Sequence, residues 1–203
     1  MISRIGLVPL AVIASTQLCA AADPRYPDWP CAQAKVPEIS LAAVWAGPPL
    51  DNAEGNWKGD PKVSALVEKA AARKLPLEDA QKAITEFLAV PGTEKLATGK
   101  LLFAGLFEQL NAERTSIMSG LERVTRRQRQ AADKIRSDTI ALQELQDATP
   151  RDQAKIEELG NTLVWETRIF EDRRRVVKFV CEVPTTIDQR LFALGRAIQQ
   201  EIE

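Results

Sequence analysis

Histidine is absent from all 203 residues of the chain. That removes the commonest general base, the commonest metal ligand and the usual switch near neutral pH. An excess of either charge is also missing, because 27 Lys and Arg face 28 Asp and Glu for a formal net charge of -1. There is no global basic surplus to neutralise phosphates, so nucleic acid is not an expected partner. Aromatic residues are scarce at 5%. The chain carries no CxxC spacing, no glycine-rich phosphate loop, no G-x-S-x-G elbow and no calcium-binding loop pattern. After the first twenty-odd residues, no stretch is apolar over the roughly 20 residues that a membrane-spanning helix needs. The expectation is a non-enzymatic protein without cofactor, catalytic residue, metal site or stable membrane insertion.

What is present begins with an address. Residues 1–22 hold one basic residue, Arg4, then an apolar stretch from Ile5 to about Leu18, then Ala20, Ala21 and Ala22. This is the three-part layout of a secretory signal peptide, with cleavage before Asp23. An uncleaved anchor is disfavoured by the short apolar stretch. A lipid-modified Cys19 is disfavoured by the larger residues Thr16, Gln17 and Leu18 before it. The mature chain is therefore expected in a periplasm or secreted. Cleavage leaves two cysteines, Cys31 and Cys181, which in an oxidising compartment are expected to form one disulfide. Closing a loop of that length restrains the unfolded chain by about 4 to 5 kcal/mol in the chain-entropy treatment.

Residues 23–59 form a distinct segment, with Pro24, Pro27, Pro30, Pro37, Pro48 and Pro49 and three of the four tryptophans, Trp29, Trp45 and Trp57. Such proline density forbids long helix and disfavours central strand. An extended arm is expected, with at most a short helix around Ile39 to Trp45. Its indoles either dock the arm on helices or stand as anchors for a partner.

Residues 60–203 read as helical, so the fold class is all-α. Asp60 caps and Pro61 starts a first helix to about Lys74, and a second runs from Leu77 to about Leu88 before Pro91 and Gly92. A third, capped by Thr93, extends over about 94–148, roughly 80 Å at 1.5 Å per residue. Gly99, Gly105 and Gly120 allow it to bend or to pack closely. A fourth runs from about Arg151 to Val183, where Pro184 stops it, and Thr185 or Thr186 caps a fifth. The third and fourth carry apolar rows at alternating spacings of three and four. The short Thr149-Pro150 link turns them antiparallel. One register then sets 142 opposite 156, 135 opposite 163, 128 opposite 170 and 121 opposite 177, with 138, 131, 124 and 117 opposite 159, 166, 173 and 180. The expected architecture is a long antiparallel coiled-coil hairpin at about 94–183 on a small helical body, with the proline- and tryptophan-rich arm held to its base by Cys31.

The basic run Arg123, Arg126, Arg127, Arg129, Lys134 and Arg136 reads as a solvated helix surface with cross-helix partners: Arg127 with Asp172, Lys134 with Glu166, and Arg126 with Glu171. The triplet Arg173, Arg174 and Arg175 is a candidate partner-binding cluster. Arg173 falls on the seam opposite Val124, where it must snorkel or meet an acidic partner. Adjacent carboxylates such as Glu157-Glu158, Glu171-Asp172 and Glu78-Asp79 point about 100° apart on a helix and do not focus on one site. The expected function is that of an exported adaptor or assembly factor for another exported protein. A holdase-type chaperone and a small-ligand or cation sensor are the alternatives, and a homodimer through the coiled coil is a further possibility.

Overall fold

The computed structural model describes residues 23–50, 53, 55–89 and 93–203. The expected signal peptide with Cys19, the Pro91-Gly92 link and the side chain of Thr93, expected to cap, lie outside the described residues. Every regular element among the described residues is helical. These are α1 (Leu41–Val44), a 3-10 turn (Asn56–Gly59), α2 (Pro61–Ala71), α3 (Leu77–Phe87), α4 (Thr93–Asp147), α5 (Gln153–Val180) and α6 (Val183–Ile202).

Local chemistry explains the boundaries. The Asp60 carboxylate accepts from the backbone N–H groups of Lys62 at 2.8 Å and Val63 at 3.2 Å, and Pro61 follows at a position that needs no donor. α2 ends at Ala71, short of Lys74, where buried Arg190 from α6 takes up the Ala70 carbonyl and that of Leu75 in the following turn. Arg190 Nε and Nη2 donate to the Ala70 carbonyl at 2.9 and 2.7 Å, and Nη1 donates to that of Leu75 at 3.0 Å. A cation held on orphan carbonyls closes a helix C-terminus favourably. Asp152 caps α5 through the Lys155 N–H at 3.2 Å. Pro184 differs from the expectation. α5 has already ended at Val180, and Pro184 sits in the first turn of α6, where its missing N–H costs nothing.

The core lies where α2, α3, α6 and the first half of α4 meet. Ile84, Leu88, Leu102, Phe103, Leu106, Leu110, Ile187, Leu191, Leu194 and Ile198 are fully buried there, each contributing roughly 1.5–3 kcal/mol. Two glycines admit the arm to this core. A Cβ on Gly105 would lie 2.8 Å from Trp57 Cδ2 and 2.7 Å from Val67 Cγ2, so only a bare backbone lets the indole lie on α4 there. A Cβ on Gly195 would meet the Val44 carbonyl at 2.7 Å, so α1 crosses α6 at that point.

Burial then stops. From Glu122 through Val180 no residue is buried, because two helices alone cover only one side of each other. They are antiparallel: Gln128 Nε2 donates to the Phe170 carbonyl at 3.0 Å, and Lys134 Nζ meets Glu166 Oε1 at 2.7 Å, so contacts advance along α4 as they retreat along α5.

Candidate functional site

Cys31 and Cys181 are joined in a disulfide. It fastens the arm to the corner between α5 and α6, beside α4. Residues 23–37 then run along one flank of α4. Asp28 receives Arg126 at 2.8 Å and Arg129 at 2.6 Å, Lys35 meets Glu122 at 2.5 Å, and Arg114 Nη1 donates to the Pro37 carbonyl at 3.3 Å. Positions 114, 122, 126 and 129 recur every three, four or eight residues, so they share a flank. Arg126 hydrogen-bonded to Asp28 holds that carboxyl below the usual aspartate range, with Arg129 acting in the same direction. Arg126 is thus claimed by the arm and not by Glu171.

The candidate tryptophans separate. Trp45 and Trp57 are core residues, 7% and 6% exposed, and so are not surface anchors. Trp45 stacks on Phe103 with ring centroids 4.1 Å apart, and its N–H donates to the Pro48 carbonyl at 2.8 Å. The Trp57 N–H donates to Glu108 Oε2 at 2.8 Å, and Lys58 lies on Oε1 at 2.5 Å. Lys58 first, and Trp57 second, hold the Glu108 carboxyl below its ordinary range. Half-buried Trp29 donates to the Gln33 carbonyl at 2.7 Å and closes its own turn. Each indole is taken up in this way because apolar rings and their N–H groups find partners inside the fold.

The basic residues also sort out. Lys134 reaches Asp138 at 2.5 Å and Glu166 at 2.7 Å, and these carboxylates, Asp138 before Glu166, raise the pKa of its ammonium. Arg174 pairs with Glu171 at 3.0 Å and Arg175 pairs with Asp172, both within one turn of α5. Asp172 is therefore spent inside its own helix and is not the partner of Arg127, because an i,i+3 neighbour lies nearer than a side chain across the seam. Arg123, Arg127 and Arg173 have no carboxylate partner among the described residues.

Two surfaces emerge on α5 and its seam with α4. The first is an outward face carrying Trp165, Ile169, Val176 and Phe179, spaced by four, seven and three residues and so on one side of the helix. Trp165 is 62% exposed and Phe179 77%. Arg168 lies over the Trp165 ring with its guanidinium carbon 5.9 Å from the centroid. The row is visible in the sequence as apolar residues each one position before a seam position. The second is a cleft of about 620 Å³ where α4 and α5 leave the body. Ile117, Leu121, Val124, Val177 and Val180 floor it, and Arg123, Arg127 and Arg173 rim it.

Among the described residues no helix is long and apolar enough to cross a membrane, and no group of His, Cys, Asp or Glu is placed to hold a metal ion. No family model matches the chain, and no curated protein or solved structure matches it.

Proposed function

We propose that the protein is an exported, non-enzymatic interaction protein whose α4–α5 arm docks another exported protein. The observation that carries the reading is the outward face of α5. A 28-residue helix buries none of its residues and displays Trp165, Ile169, Val176 and Phe179 together. Large apolar side chains displayed on one face of an exposed helix, here interrupted at Asp172, mark contact sites. Between Val164 and Val180, five basic side chains accompany three acidic ones, so the fitting partner presents an apolar helix or groove with acidic flanks. The leader at residues 1–22 and the Cys31–Cys181 disulfide support an oxidising compartment as the place of action.

The test places a photo-cross-linking residue in the full chain at position 165, 169 or 179, and at exposed Glu68 and Lys69 of α2 as controls, in intact cells. One stoichiometric protein captured from the α5 positions alone, and lost on Trp165→Ser with Phe179→Ser, supports the adaptor reading. Equal capture from α2, or capture that survives both substitutions, overturns it. A wide set of unrelated clients would replace it with a holdase, and self-linked product alone with a homodimer.

A further inference from the structure

We infer that the cleft at the root of the α4–α5 pair binds a single-chain anionic amphiphile, an alkyl chain ending in a carboxylate or phosphate. The cleft shares Val176 with the outward row of α5, but Trp165, Ile169 and Phe179 do not line it, so substitutions at Trp165 and Phe179 test the partner reading separately.

Three features converge. The floor is aliphatic, with Ile117, Leu121 and Val124 from α4 facing Val177 from α5. Packed helices normally close such a gap, because a void forfeits dispersion contacts on both walls. Here Arg173 and Val124 both line the cleft and Arg173 is exposed, so its stem lies along the apolar wall while its guanidinium reaches the rim. Gly120, also on the lining, contributes no side chain to fill the space.

The rim is cationic and unsatisfied. Arg123, Arg127 and Arg173 surround the opening without a carboxylate among the described residues, and the one acid there, Asp172, is held by Arg175. Three guanidiniums facing one opening repel one another, and an anionic head group relieves that repulsion while accepting their forked donors.

Size selects the rest of the ligand. The lining on α4 runs from Ile117 to Gln128, about 16 Å at 1.5 Å per residue. That matches an extended alkyl chain. A bare inorganic anion would leave the aliphatic floor in water. The arm covers the flank of α4 that carries Glu122, Arg126 and Arg129. Gly120, Arg123 and Arg127 lie on the other flank, so the opening is clear of the arm.

The experiment titrates the purified protein with dodecanoate and with dodecyl phosphate below micelle formation, by calorimetry. Dodecyltrimethylammonium and acetate serve as the charge and chain controls. Saturable binding near one equivalent is expected for both anionic chains, with at least tenfold weaker binding of both controls. The double variant Arg127→Gln with Arg173→Gln, both at exposed positions, should lose at least tenfold in affinity. Val177→Trp, which fills the floor and keeps every arginine, should lose as much, and Trp165→Ser should lose nothing. Equal affinity for the cationic chain, undiminished binding in the double variant or in Val177→Trp, or no saturable binding of either anionic chain would overturn the assignment.

Discussion

Arg114 Nε of α4 lies 2.7 Å from Asp188 Oδ1 of α6, and the arginine side chain is only 4% exposed. The pair ties the root of α4 to α6 beneath the arm, whose Pro37 carbonyl accepts from the same guanidinium. Burial pushes the Asp188 carboxyl above its usual value, and Arg114 pulls it partly back. Arg114→Met should therefore cost about 2 kcal/mol. That is below the figure for a fully buried pair, because Asp188 keeps some contact with water. The sign with pH is set by the acid left behind. Its folded pKa is raised, so the variant is weakest when Asp188 is ionised and recovers as pH falls through that value. Urea unfolding of the variant and the parent at a series of pH values checks this, and a gap that widens on acidification would refute it.

Arg190 closes α2 through three hydrogen bonds to two carbonyls. Arg190→Leu should destabilise by about 2–3 kcal/mol, since the Ala70 carbonyl is left buried without a donor. Arg190→Lys should rescue less than half, because an ammonium cannot reproduce the planar fork. Thermal unfolding of the three proteins ranks them.

Gly105→Ala sets two effects against each other. Alanine gains about 1 kcal/mol in helix propensity, whereas forcing a methyl against Trp57 and Val67 costs about 1–3 kcal/mol. The expected net is a loss of about 1 kcal/mol, accompanied by a change in Trp57 fluorescence. Val67→Ala in the same chain should recover part of the loss, and a stabilised single variant would show that the indole shifts freely.

Asp28 gives a pH prediction of the opposite sign. Its folded pKa is depressed below 3.8 by Arg126 and Arg129. Its attachment of the arm is therefore complete above the ordinary aspartate value and is lost as pH falls through the lower folded value. A carboxyl-carbon NMR titration should place the Asp28 midpoint below 3.8. In Arg126→Gln with Arg129→Gln it should return toward 3.8.

The Cys31–Cys181 bond spans a separation of 150 residues. Cys31→Ser with Cys181→Ser should lower unfolding free energy by about 4 to 5 kcal/mol, while the far-ultraviolet helical signal at low temperature is retained. Loss of that signal would mean that the helices need the bond in order to form.

The helices were legible because their signals are periodic and local. Asp60 before Pro61, the three-and-four rows of α4 and α5, and the Lys134–Glu166 pair all follow from helical geometry. The contacts of the arm were not legible. An irregular chain has no period, so nothing in the sequence places Asp28 between Arg126 and Arg129, or Trp57 over Gly105. The pairings assigned to Arg126 and Arg127 failed for related reasons. The arm reached Arg126 first, and neighbours on α5 itself took up Glu171 and Asp172. The outward row of α5 was hidden by its neighbour: once one set of apolar positions explains a helix, the adjacent set at Trp165, Ile169, Val176 and Phe179 passes for ordinary surface.

The end of burial at Glu122 means that the molecule resists opening unevenly along its length. Amide hydrogens of α4 between Leu102 and Leu121 exchange only when the core opens. Those near Thr149 are guarded by little more than the pairing of two helices, and fraying there disturbs nothing packed behind it. Protection should therefore fall steadily from root to tip, so the segment that reaches farthest from the body is also the easiest to reshape on contact.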